Sequence, residues 1–168
     1  MLRSPLMAAA AAPPVAATAA AAAAAVVTHY TGTGGLLAKI TAGLERQGKS
    51  PDTAVASDLY AVDQFHIGGA SFALRTMAHL AAKERQTLLD VGAGYGGPAR
   101  TAALEYRCNV VGVDLTPDYV NTGNAMSAWP AVALGDQVEL RLGDCTTMVD
   151  AGVVAPESMD NGYMIHVG

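Results

Sequence analysis

Leu88-Leu89-Asp90-Val91-Gly92-Ala93-Gly94-Tyr95-Gly96-Gly97-Pro98 is a short apolar run that reaches an acid, breaks into a glycine cluster and meets a proline. Thr87 to Val91 reads as a buried strand. The glycines allow a tight turn and a close approach of backbone to ligand, and Pro98 suits the first turn of a helix running to about Tyr106. Such a helix offers its N-terminus to whatever binds the loop. Toward the C-terminus, Asn109 to Asp114 reads as a second buried strand and Pro117 to about Ala128 as a helix stopped by Trp129-Pro130. Val138 to Leu142 alternates as a third strand, and Gly162 to Val167 is a fourth. Toward the N-terminus, Ser71 is placed to cap a helix carrying Phe72, Leu74, Met77, Leu80 and Ala81. Leu36, Leu37, Ile40 and Leu44 recur at helical spacing before Gly48 and Pro51, and a polar stretch leads on to Tyr60.

Near-continuous apolar strands alternating with helices predict an α/β fold: a Rossmann-like, doubly wound parallel sheet, represented by its first four strands, with helices before it. Right-handed crossovers bring the C-terminal ends of all strands to one edge, where such sheets bind ligands. That edge collects Asp90 with the glycine loop, Asp114, Asp144 with Cys145, and His166. The expected division is a low-complexity extension over 1–28, a helical cap region over 29–86 and the ligand-binding core over 87–168.

The chain has 168 residues, of which 51% are hydrophobic and 15% charged, so it holds one domain. Alanine in residues 1–27 inflates the apolar share. Alanine is too weakly hydrophobic for a membrane span, and Pro13 and Pro14 break the run. An untargeted extension of a cytoplasmic protein is expected, with an organellar (plastid or mitochondrial) transit peptide as the alternative. The formal net charge is −5, no acid precedes Glu45, and no basic stripe is present, so no nucleic-acid partner is expected. Cys108 and Cys145 suit neither a disulfide framework nor a zinc site. His29, His66, His79 and His166 match no zinc spacing, so no metal is expected.

Gly92, Gly94 and Gly97 satisfy G-x-G-x-x-G, and Asp114 follows at about the distance of a ribose-binding acid. That pattern alone admits a dinucleotide. Asp90 argues against one, because a carboxylate beside the turn would repel a pyrophosphate by several kcal/mol in a partly desolvated site. S-adenosylmethionine (SAM) carries no phosphate and presents two cationic groups. Asp114 can accept from its ribose hydroxyls and Asp144 from its adenine amino group.

Leu88 to Arg100 resembles the first motif of the class I SAM-dependent methyltransferases. Its wording is nearest to the small-molecule branch of sarcosine/dimethylglycine N-methyltransferases and relatives of the ubiquinone-biosynthesis C-methyltransferases. Val110 to Leu115, Gly143-Asp144-Cys145 and Asp160 to His166 resemble the later motifs. Asp63-Gln64-Phe65-His66-Ile67-Gly68-Gly69 resembles the stretch that helps cover the cofactor in that branch. The resemblance implies that Asp90, Gly92, Ala93 and Gly94 hold the methionine end, Asp114 and Leu115 the ribose, and Asp144 with Cys145 the adenine. Gln64 is implied as a further cofactor contact, and His166, His66 and Tyr30 as substrate contacts. It also implies methyl transfer to a small acceptor, an amine such as a methylated glycine, with no catalytic acid or base identified. The family continues beyond a fourth strand, so the chain is expected to be a fragment with the cofactor half of the site, able to associate through an open sheet edge or as a homodimer. Two rival readings are a nicotinamide (NAD)-dependent oxidoreductase, which needs Asp90 to tolerate phosphate, and a non-catalytic SAM-binding or interaction fragment.

Overall fold

The computed structural model describes residues 35–64 and 66–167, and Tyr30 therefore lies outside the described residues. Helix α1 spans Leu36–Glu45, a 3-10 turn spans Ala56–Leu59, and the short α2 spans Tyr60–Asp63. Helix α3 (Gly69–His79) leads to β1 (Thr87–Val91), α4 (Gly97–Tyr106), β2 (Asn109–Asp114) and α5 (Pro117–Ser127). The edge strand β3 (Val138–Leu142) and then β4 (Asn161–Met164) follow. The four strands form one parallel sheet in the order β3-β2-β1-β4. The chain steps outward through β1, β2 and β3, then returns to the far side of β1, so the point of reversal lies between β1 and β4.

The elements follow their sequence signals, with two corrections. Ser71 does not cap α3. Gly68 does, at φ 96°, with Gly69 also left-handed, and the Ser71 hydroxyl donates to the Gly68 carbonyl from inside the helix. Two glycines let the turn form earlier than a side-chain cap would have it. Strand β4 ends at Met164 rather than Val167, because His166 turns left-handed at φ 52° and takes the chain off the sheet.

One face of the sheet carries the main core. Leu88, Val110, Val138 and Leu140 pack there with Ala99, Ala102 and Ala103 of α4 and Val120 and Met126 of α5. Small residues on α4 let that helix lie close to the strands. Asn124 of α5 hydrogen-bonds both backbone groups of Leu140 at 2.8 Å and so satisfies a peptide of the β3 edge. The opposite face is thinner: Val111, Val113 and Val154, with Leu89, Met148, Val153 and Met159 against them, sit under the turns between β3 and β4. That crossover, where a doubly wound sheet would carry its second layer of helices, runs as turns.

Candidate functional site

The strand ends and the first turns of α4 and α5 enclose a cavity of about 490 Å³. Its walls include Gly92 and Gly94 from the loop after β1, Val113 to Thr116 after β2, Gly143 and Cys145 after β3, and Ile165 to Val167 after β4. Asp63 and His66 close it from the cap region. The volume suits a nucleoside with a small tail.

The loop is held from below and from the side. The N–H groups of Gly92 and Ala93 both donate to the Val113 carbonyl, at 2.8 and 3.1 Å. The Gly94 N–H donates to Asp114 Oδ2 at 2.8 Å, and the Thr116 N–H donates to Oδ1 at 2.9 Å. Each oxygen of Asp114 therefore keeps acceptor capacity toward the cavity. Gly97 allows a close approach: a Cβ there would collide with the Asp63 carbonyl oxygen and stand 3.0 Å from its carboxyl carbon. No residue with a side chain fits between α4 and the end of α2.

Arg100 ties these parts together from inside the protein. Its Nη2 donates to Asp63 Oδ2 at 2.9 Å and to the Tyr95 carbonyl at 2.7 Å. Its Nη1 donates to Ser127 Oγ at 3.0 Å and to the Gly123 carbonyl at 3.2 Å. Both partners of the ion pair are buried. Burial pushes the Asp63 carboxyl up and the Arg100 guanidinium down, and in each case the partner's charge opposes the shift. One guanidinium thus joins cap, glycine loop and α5.

Of the residues singled out in the sequence, Gly92, Gly94, Asp114, Leu115, Cys145, His66 and His166 line the cavity. Ala93 is buried against the β2 side of the loop, and Gln64 stands behind the wall, donating to Thr101 Oγ1 at 3.3 Å. Asp144 turns its carboxylate to its own loop: Oδ1 accepts from the N–H and hydroxyl of Thr146 at 2.8 and 2.7 Å. Its neighbours Gly143 and Cys145 are the ones that reach the wall. Asp90 corrects the electrostatic reading of the loop. It shares the buried face of β1 with Leu88, is 1% exposed, and does not line the cavity. Burial pushes its pKa up to about 7, with a smaller rise from the Asp114 charge, while the Tyr163 phenol pulls it down. It is therefore not the carboxylate that a ligand at this loop would meet.

The reading from sequence did not mark Asp63, Thr116 and Tyr119 as site residues, although all three line the cavity. Tyr119 stacks edge-on against Tyr95 with centroids 4.5 Å apart. Its signal was its place one turn into the helix after β2. Asp63 was visible only as the first residue of the cap segment. Among the described residues no group of three His, Cys, Asp or Glu side chains is placed to hold a metal ion, and no helix is long and apolar enough to cross a membrane. Cys108 and Cys145 are both free, the first buried and the second exposed.

A second cleft of similar volume lies at the opposite edge of the sheet, between Glu84, Arg85, Arg107, Asn109 and Gln137. It faces the strand beginnings, away from the glycine loop, and belongs to no constellation of reactive groups.

No family model matches the chain. Over 74 residues it is 34% identical to "Probable tocopherol O-methyltransferase, chloroplastic" of Oryza sativa subsp. japonica, covering 44% of this chain and 20% of that protein. Among solved structures it is similar to a SAM-dependent methyltransferase of Thiobacillus denitrificans in complex with S-adenosylhomocysteine, at 23% identity and TM-score 0.50. That likeness covers 64% of this chain and 41% of the other. It also resembles geranyl diphosphate C-methyltransferase of Streptomyces coelicolor A3(2), at 22% identity and TM-score 0.47, over 56% of this chain and 34% of that one. The chain thus spans a fifth of the curated relative and between 34% and 41% of these structures. The described body has the Rossmann-like α/β fold of the class I SAM-dependent methyltransferases.

Proposed function

We propose that the cavity binds SAM and that the protein to which this chain belongs transfers the SAM methyl group to a small-molecule acceptor. The observation that carries the reading is the charge of the cavity wall: it presents the Asp114 carboxylate and no lysine or arginine among its lining residues, the Asp63 carboxyl being taken up by Arg100. A pyrophosphate would find no cation there, whereas a cationic nucleoside would find a carboxylate beside the glycine turn. This supports SAM over a nicotinamide dinucleotide without any part for Asp90. The residues fit the cofactor in kind. The backbone of Gly92 and Gly94 can approach its amino-acid end, Asp114 keeps lone pairs for ribose hydroxyls, and Leu115 and Cys145 flank the adenine side. When bound, SAM supplies a methyl carbon already activated by its sulfonium. The chain's contribution is to orient the partners and keep water out.

An amine acceptor, such as a methylated glycine, is favoured by the resemblance of the Asp63–Gly69 segment to the N-methyltransferase branch. The division into 1–28, 29–86 and 87–168 and a cytoplasmic location, with an organelle as the alternative, belong to the same proposal.

A thermal melt tests the cofactor. S-adenosylhomocysteine at a hundred times its Kd adds ~2.7 kcal/mol and raises Tm by roughly 5 to 10 °C. NAD(H) leaves Tm unchanged. The reverse pattern makes the protein a nicotinamide enzyme instead. Asp114→Ala loses the shift given by S-adenosylhomocysteine and, by freeing the Gly94 and Thr116 N–H groups, lowers stability by about 1 to 3 kcal/mol. Retention of full affinity in that variant removes Asp114 from the ribose site.

A further inference from the structure

A chain of hydrogen bonds in the cap segment fixes the protonation of a histidine on the cavity wall. Thr101 Oγ1 donates to the Gly97 carbonyl at 3.0 Å, so its lone pair receives Gln64 Nε2 at 3.3 Å. Gln64 Oε1 is then the atom facing His66 Nε2 at 2.9 Å, and it can only accept. The proton of the neutral imidazole therefore sits on Nε2, and Nδ1 carries a bare lone pair. His66 is 7% exposed, lines the cavity, and its Nδ1 has no hydrogen-bond partner. The rings of Phe72 and His166 close over it, with centroids at 5.8 and 6.1 Å. His166 is exposed and lines the same cavity.

We propose that His66 and His166 form the proton-accepting pair of the acceptor site, with Nδ1 of His66 as the receiving atom, and that the methyl acceptor is a protic nucleophile carrying N–H, O–H or S–H. This rests on the SAM reading of the same cavity. In the step, the acceptor's lone pair forms the bond to the methyl carbon and the methyl–sulfur electron pair stays on sulfur. The acceptor's proton passes to Nδ1. Gln64 Oε1 then steadies the imidazolium through Nε2–H, and exposed His166 hands the proton on to water. Burial holds His66 below the usual histidine range, against a smaller opposing pull from the Ile67 backbone, and the charge of His166 adds the least of the three, in the same direction as burial. The ring is thus unprotonated and ready at neutral pH. The other charged groups around it are Asp63, engaged by Arg100, and Arg75, which lies 5.6 Å over the Phe72 ring.

Nitrogen-15 spectra of the imidazoles test this on the whole chain saturated with S-adenosylhomocysteine. His66 is expected as the Nε2–H tautomer, titrating below about 6.5, with its midpoint moving up in His166→Ala. Methylammonium chloride, which carries N–H, shifts the Nδ1 resonance, while tetramethylammonium chloride does not. A proton on Nδ1 at neutral pH, or an equal response to both salts, overturns the proposal. Calorimetry with S-adenosylhomocysteine on the same sample separates the two readings. Absent binding overturns the cofactor assignment, and binding with a protonated Nδ1 overturns the histidine pair alone.

Discussion

Replacing Arg100 by alanine lowers the stability of the fold by about 3 to 5 kcal/mol, a fall of roughly 6 to 20 °C in Tm. The size follows from what is left behind rather than from what the ion pair is worth. Burial opposes the charged form of both partners, so the intact pair is a modest net contributor. Removing the guanidinium strands the Asp63 carboxylate, which is 2% exposed and already has one oxygen without a partner. It also leaves the carbonyls of Tyr95 and Gly123 without this donor. Cap, glycine loop and α5 then lose their common tie, and affinity for S-adenosylhomocysteine falls with them. The double variant Asp63→Asn/Arg100→Gln removes both charges, keeps hydrogen-bonding capacity, and is expected to be more stable than Arg100→Ala. Denaturant unfolding of the three proteins decides the matter. A loss under about 1 kcal/mol in Arg100→Ala shows that the clamp is not what holds the cap.

Arg100 also shows where legibility in the sequence ends. Every strand of the sheet, the two helices after the glycine loop and the strand-end position of Asp114 follow from local signals: apolar runs, Gly92 to Gly97, Pro98 and Pro117. Such signals are read within ten residues. The Asp63–Arg100 pair spans 37 residues, and the bond from Gln64 to Thr101 spans another 37, so neither leaves a local trace. An arginine one turn into α4 reads as a solvent residue until the helix is docked and its side chain is seen to turn inward. The same holds in reverse for Asp90 and Asp144. Their positions at strand ends were legible, but the directions of their side chains were not. Asp90 points with Leu88 into the core because a strand's side chains alternate, and Asp144 closes on Thr146 because a short acid bonds the backbone two residues on. Placement at the sheet edge came from topology, and contact with a ligand depends on which way each carboxylate turns.

Asp90 leads to the second large effect, on how stability varies with pH. Its pKa rises from 3.8 to about 7 through burial, with no hydrogen-bond partner for Oδ2, and Tyr163 stands beside it across the β1–β4 pairing. The unfolded chain ionises this carboxyl near pH 4, whereas the folded chain resists until about pH 7, so the folded state binds the extra proton across that window. Stability from this group is complete below pH 4, falls as pH rises toward 7, and is flat beyond. A displacement of about three pH units corresponds to about 4 kcal/mol lost over the window. Asp63, also raised by burial, adds to the decline in the same direction. Asp58, Glu139 and Asp144 are lowered by their hydrogen bonds and act the opposite way, losing their contribution only as pH falls into the acid range. The Asp90 contribution is isolated by Asp90→Asn, which stays neutral and keeps nearly the same side-chain shape. Its stability is expected to lie close to the parent's below pH 4, to exceed it by about 1 to 2 kcal/mol at pH 5 and by about 4 kcal/mol at pH 8, and to vary less across that range. Parallel stability curves for parent and variant from pH 5 to 8 would show that Asp90 is ionised throughout and that its charge, rather than its neutral form, belongs to the folded loop.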